Sequence, residues 1–380
     1  MRVGGNTTWT LHEAFRSHDR KAAWQTWLEL RKKRRSLTRV FQHDDFSQIL
    51  QFTVAHTIPE KAARYSSFVL QDMRRAKRLP DLRDYRAIMS IQLRVGDVRK
   101  ITQLFQELVE QGLEPDVKIY TILLASYSKT KNKNLLWTTW EQMVERLPGS
   151  EVDMDARSVM VEALGRAGDV SGAEMLVEDI ERALRRRNGG VKEEGRTLLA
   201  DIQLYEAMIR AYGVTGQLQA AMRNFRTLVV ERPDFGKRGA VGLNTFDAVL
   251  EACAVNDDFE SALEFWNSLV DRCKEISTAH PPLDSAPKKR PYMLPRPTSY
   301  DYMMSLYAAR GDVERVRALF DEKRAWYQPD VAMFRHLINV HLRKEQMKEA
   351  VGVYDEMVGM GLMPDVDTVE AVMRAKRSGW

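Results

Sequence analysis

One short phrase recurs along this chain at a spacing of about 35 residues, and it restricts the fold more than any other feature. Tyr85, Tyr120, Arg157, Tyr205, Phe246, Tyr300 and Phe334 each open a pattern with apolar residues three and four positions on and, in most units, seven positions on, as in Tyr120, Leu123, Leu124, Tyr127 and Tyr300, Met303, Met304, Tyr307. That spacing lines up one face of a helix, called here helix A. A break follows, often glycine with a polar neighbour: Gly96-Asp97, Gly168-Asp169, Gly216-Gln217, Gly311-Asp312. Glycine accepts the left-handed geometry that ends a helix, so a second helix, B, folds back antiparallel.

Helix B has its own stripe of a small or aliphatic residue, usually an aromatic four later and another apolar residue three later. Examples are Ile101, Phe105, Leu108; Leu136, Trp140, Met143; Ala262, Trp266, Leu269; and Ala350, Tyr354, Met357. Several units close with Pro80-Asp81, Pro115-Asp116, Pro329-Asp330 or Pro364-Asp365, where proline stops one unit and aspartate can cap the next helix A. A single hairpin of this kind cannot bury its apolar faces, whereas stacked hairpins bury them against their neighbours. The predicted class is therefore all-α, an α-solenoid of stacked helix-turn-helix units.

These residues, above all the run from Leu82 to Pro115-Asp116, resemble the pentatricopeptide repeat family. The sister tetratricopeptide repeat requires a small residue four after the opening aromatic. Here that position holds Met89, Leu124, Val161, Ile209, Leu250, Met304 and Ile338. The resemblance implies a right-handed superhelix. It divides the chain into degenerate N-terminal repeats over 1–81, with Trp24 and Trp27 on a helix B, then seven repeats over 82–365 and a capping half repeat over 366–380. Insertions are expected at 185–201, 231–242 and 275–296. The last contains Pro281, Pro282, Pro287, Pro291 and Pro295 around Lys288-Lys289-Arg290, a density of proline that predicts a loop.

Composition narrows the function. Lys and Arg number 58 against 53 Asp and Glu, a net charge of +5 that permits a polyanionic partner without demanding one. Only Cys253 and Cys273 are present, which provides neither a disulfide framework nor a Cys-x-x-Cys metal site. No apolar run is long enough to predict membrane insertion, and the N-terminus makes a poor transit peptide. His336 and His341 are five apart rather than four, and no phosphate-binding Gly-rich loop or nucleophile motif appears. The chain reads as a non-enzyme with no metal or cofactor.

The resemblance also implies where single-stranded RNA would lie. In family members that read RNA, the residue after the opening aromatic bonds a base edge and the last residue of the same unit supports it. In this chain those pairs are Arg86 with Asp116, Thr121 with Asp153, Ser158 with Asp201, Glu206 with Gly242, Asp247 with Arg296, Asp301 with Asp330 and Arg335 with Asp365. Thr121/Asp153 and Ser158/Asp201 resemble the hydroxyl-plus-Asp pairs used for a purine. Arg86, Asp116, Asp301, Arg335 and Asp365 are weaker candidates. Eight residues beyond the reading position, Arg94, Lys129, Arg166 and Arg343 are expected to hold phosphate. RNA is expected across units 82–201, with a weaker contact near Arg335 and Arg343. Two basic runs, Arg31-Lys32-Lys33-Arg34-Arg35 and Arg74-Arg75-Ala76-Lys77-Arg78, fall near ends of B helices.

By resemblance the function is that of an organellar, mitochondrial RNA-binding adaptor serving RNA processing, stability or translation regulation. The alternative is a protein-binding scaffold, such as a mitochondrial ribosome subunit or assembly factor, in which the inner surface has exchanged base reading for protein contact.

Overall fold

The structure, a computed structural model, describes residues 13–14, 16–17, 19–32, 41–54, 59–147, 152–187, 196–231, 241–279 and 293–377. Among these residues there are eighteen α-helices and no strand. The chain divides into two compact units, residues 1–163 and 164–380.

In the first unit, α1 (Arg20–Lys32) precedes the hairpins α2 (His43–Val54) with α3 (Pro59–Arg75), α4 (Leu82–Val95) with α5 (Val98–Glu110), and α6 (Val117–Tyr127) with α7 (Lys133–Arg146). Successive A helices, α2, α4 and α6, pack side by side, and each B helix packs on its own A helix; α3 and α5 also pack on the A helix that follows. The division between units falls within α8 (Met154–Arg166).

The second unit repeats this pattern. α9 (Val170–Arg187) is followed by α10 (Arg196–Val214) with α11 (Leu218–Glu231), α12 (Leu243–Val255) with α13 (Phe259–Ala279), α14 (Pro297–Ala309) with α15 (Val313–Trp326), α16 (Val331–Arg343) with α17 (Met347–Gly359), and finally α18 (Val366–Arg377). α10, α12, α14, α16 and α18 form the row of A helices. The row is tight where small residues meet: a Cβ on Gly213 would lie 2.5 Å from Ala252 Cβ, so α10 and α12 approach as only glycine permits.

The phrase read from the sequence is the core. Tyr85, Tyr120, Phe246, Tyr300 and Phe334 are at most 1% exposed, and the large residues four positions later, Met89, Leu124, Val161, Ile209, Leu250, Met304 and Ile338, are fully buried. Side chains of that size fill the space between adjacent A helices, which explains why the tetratricopeptide spacing fails here. The hairpin turns use the left-handed region at Gly96, Gly168, Gly216 and Gly311. Where a hairpin lacks glycine, Lys131, Asp257 and Glu345 take that conformation with φ of 53°, 52° and 57°.

Helix extends into stretches expected as insertions. α9 continues through Arg187, α10 begins at Arg196 and α13 continues to Ala279. Residues 185–187, 196–201 and 275–279 contain neither proline nor glycine, so nothing in them stops a helix already under way. Residues 188–195, 232–240 and 280–292, the last with Lys288-Lys289-Arg290, lie outside the described residues, as do 33–40.

Candidate nucleic-acid interface

The aspartate that closes a unit does two jobs at once. One oxygen caps the next A helix: Asp116 Oδ1 accepts from the Ile119 amide at 3.0 Å, Asp153 Oδ1 from Ala156 at 2.9 Å, Asp330 Oδ1 from Met333 at 2.9 Å and Asp365 Oδ1 from Thr368 at 2.7 Å. This cap follows from unpaired amides in the first turn of the helix and, for Asp116, Asp330 and Asp365, from the chain turn set by the preceding proline. The other oxygen faces the preceding A helix and accepts from a cation there or beside it. Arg86 donates to Asp116 Oδ2, Lys118 to Asp153 Oδ2 at 3.0 Å, Lys323 to Asp330 Oδ2 at 2.8 Å and Arg335 to Asp365 Oδ2 at 3.4 Å.

The proposed reading positions are thus largely occupied by the protein itself. Arg86/Asp116 and Arg335/Asp365 are ion pairs. Asp247/Arg296 is the same pair with its polarity reversed, at 3.5 Å, and Asp247 also accepts from the Thr298 and Ser299 hydroxyls. Asp301 and Asp330 are bridged by Lys323, whose ammonium is fully buried and lies 2.7 Å from Asp301. Burial pushes the Asp301 carboxyl up to about 6, against the pull of Lys323. Glu206 is buried and accepts from Thr245 Oγ1 at 2.6 Å; burial raises its carboxyl as well.

Thr121 is half-buried, with its hydroxyl donating to the Val117 carbonyl at 2.7 Å. Its supporting Asp153 is held by Lys118, which also lies 3.0 Å from Asp155; the Asp153 hydrogen bond keeps that ammonium protonated above its ordinary range. Ser158, also half-buried, donates to the Asp155 carbonyl at 3.0 Å. The side chain of Asp201 lies outside the described residues.

The four expected phosphate residues diverge. Arg94 and Arg343, both exposed, donate to the carbonyls of Val54 and Ala309, the last residues of the A helices before them, at 2.8 and 2.9 Å. A cation there also suits the negative end of the helix dipole. Arg166 instead pairs with Glu251 at 2.9 Å, a carboxylate shared with Arg210 at 3.3 Å. Lys129 is exposed, with Nζ near Gly96. Arg310 and Lys344, not singled out in the sequence, stand at the same ends of α14 and α16; Lys344 is exposed, whereas Arg310 pairs with Asp257 at 2.9 Å and lies over the Phe259 ring.

Lys118 and Lys323 were missed too, and Arg296, expected as the support of a base-reading pair, is instead an ion-pair partner of Asp247. Lys323 had a signal: in the stripe Val316, Phe320, Lys323 it takes the place filled by Leu108, Met143, Leu269 and Met357 in other B helices. A lysine at a core position opposite an acidic reading residue, Asp301, marks a charge pair.

Known families identify the repeat itself. Models described as PPR repeat family, pentatricopeptide repeat domain and PPR repeat match residues 329–375, 103–146 and 298–325. The chain belongs to the pentatricopeptide repeat family. Among its curated relatives is the small ribosomal subunit protein mL103 (rPPR7) of Arabidopsis thaliana, 22% identical over 298 residues, which are 73% of this chain and 67% of that protein. A mitochondrial pentatricopeptide repeat-containing protein of the same plant is 22% identical over 320 residues, 71% of this chain and 50% of the relative. The chain also aligns over 98% of its length to half of the pentatricopeptide repeat protein PPR10 solved with an 18-nucleotide psaJ RNA element, at 18% identity and a TM-score of 0.46. Among the described residues of this pentatricopeptide repeat protein, no helix is long and apolar enough to cross a membrane.

Proposed function

We propose that this pentatricopeptide repeat protein is a non-catalytic, single-stranded RNA-binding adaptor of mitochondrial RNA processing, stability or translation, which grips the RNA backbone and reads few bases. The observation that carries this reading is the exposed cations at the ends of A helices: Arg94 and Lys129 in the first unit, Arg343 and Lys344 in the second. Positive charge at the ends of several A helices suits a polyanion, although Val214 and Val255 at the ends of α10 and α12 interrupt the series. The inner carboxylates that would repel phosphate are neutralised by Arg86, Lys118, Arg296, Lys323 and Arg335. Base reading is confined to Thr121 with Asp153 and to Ser158, too few positions to select one transcript.

Titration of an unstructured RNA against salt tests this. Binding should weaken as salt rises, and Lys129→Glu with Lys344→Glu should lower affinity and flatten the log–log slope by about 0.7 for each phosphate no longer neutralised. Binding that ignores both salt and the double substitution refutes the reading.

The ion-paired reading positions favour a second reading, a protein-binding scaffold. The ribosomal name of one relative points the same way. A protein complex that copurifies with the chain and persists after nuclease treatment would support it.

A further inference from the structure

Arg31 and Lys32 of one basic run and Arg75 of the other meet in the first unit. The α1 face carrying Leu28, Arg31 and Lys32 and the α3 face carrying Gln71 and Arg75 line one open pocket of about 600 Å³. In each helix these residues lie three or four apart and so share a face. The lining contains three cations and no carboxylate.

Beneath the pocket, Asp72, only 5% exposed, holds two of those cations: Arg31 Nε at 2.8 Å and Arg75 Nη1 at 3.4 Å. The Arg31 guanidinium also lies 4.1 Å from the Phe68 ring centroid and 5.6 Å from that of Trp27, and its Nη2 is 3.4 Å from Gln71 Oε1. A guanidinium fixed by a buried carboxylate and stacked on aromatic rings has already lost the side-chain freedom that binding would otherwise cost. Three cations against one carboxylate leave a local excess of positive charge that this unit does not neutralise at the pocket. Arg74, by contrast, is turned away to Glu107 at 2.5 Å and takes no part.

We infer that this α1–α3 pocket is a phosphate site for single-stranded RNA, separate from the row of A helices. Arg31 and Arg75 supply the planar donors that match phosphate oxygens, and Lys32 supplies a mobile charge at the rim. Leu28 and the aliphatic stems of the cations give the sugar an apolar wall. A strand bound along the A-helix edges thereby gains an anchor on the B-helix side, near the start of the array.

This inference rests on the RNA-binding reading, and its test separates the two. The full chain is titrated with an unstructured oligonucleotide over a series of salt concentrations, alongside Lys32→Ala with Arg75→Ala; Arg31 is kept so that Asp72 stays paired. Circular dichroism checks that the variant is folded. The double variant should bind more weakly, with the log–log slope flatter by about 1.4 because two phosphates keep their counterions, and photocrosslinked RNA should map to α1 and α3 in the parent alone. An unchanged slope in a variant and parent that both bind RNA overturns the pocket and leaves the adaptor reading intact. No RNA binding by the parent overturns both. A poly-glutamate peptide that crosslinks to α1 and α3 while RNA does not would also overturn the phosphate assignment, in favour of an acidic protein partner.

Discussion

Lys323 shows how much one residue can decide in this chain. Its ammonium is fully buried between Asp301 and Asp330, and a charge in such a place is tolerated only when paired and hydrogen-bonded. Lys323→Met should therefore destabilise the protein by about 3–5 kcal/mol in urea denaturation, because it leaves two carboxylates uncompensated. Adding Asp301→Asn should recover part of the loss; if Lys323→Met alone is neutral, the bridge is not what holds α15 to its neighbours. His336 in α16 titrates in the same region. Burial, with Arg335 and Lys323 nearby, holds its imidazole down to about 4, below the usual 6.5, so folding favours the neutral ring. Its stabilising contribution is complete above pH 6.5 and is lost as pH falls towards 4. Asp301, pushed up to about 6, acts oppositely: its contribution is present below 3.8 and lost as pH rises through 6. Comparing the protein with His336→Gln isolates the histidine. Its advantage over the variant should fall by on the order of 3 kcal/mol between pH 7 and pH 4; a constant difference would show that the ring is free to protonate.

Helices and turns were the most legible part of the sequence. Spacing of three and four fixed the A faces because the apolar residues at those positions are the same ones that the stack buries, from Tyr85 with Met89 to Phe334 with Ile338. The ends of α9 and α13 were not legible, since composition in 185–187 and 275–279 gives no stop signal and the apolar pattern has already ended. The aspartates were legible as caps, but their second oxygens were not. Each partner sits on another helix, at a distance in sequence that insertions change: 30 residues for Arg86 and Asp116, but 49 for Asp247 and Arg296. The repeat register set these positions opposite one another, but as base-reading pairs; that opposite charges meet there and pair was not legible from spacing alone. The turns support a further prediction. Glu345 holds a left-handed conformation at φ 57° where Gly311 and Gly96 stand in sister hairpins. A side chain there costs about 1 kcal/mol, so Glu345→Gly should raise stability by roughly that amount, seen as a higher melting temperature by calorimetry. A lower melting temperature would mean that the Glu345 side chain contributes something its exposed position in the turn does not suggest.

At the scale of the molecule, each hairpin buries its apolar faces against its immediate neighbours. α14 packs on α12, α15 and α16, and on α13 from the B side, just as α4 packs on α2, α3, α5 and α6. Stability in such an array is close to a sum of local terms, so a defect is felt near its origin and fades along the row. A globular domain of one cooperative core behaves differently, opening everywhere at once. Lys323→Met distinguishes the two, because its bridge lies between α14, α15 and the cap of α16. Native-state hydrogen exchange should show faster exchange in α14, α15 and α16 by a large factor, with α2, α4 and α6 of the first unit unchanged. Acceleration by one common factor in both units would mean that the chain unfolds as a single body, and the repeat architecture would then not be what sets its stability. The local outcome also bears on the proposed function, since hairpins that open independently would let one part of the array stay folded while a distant hairpin rearranges.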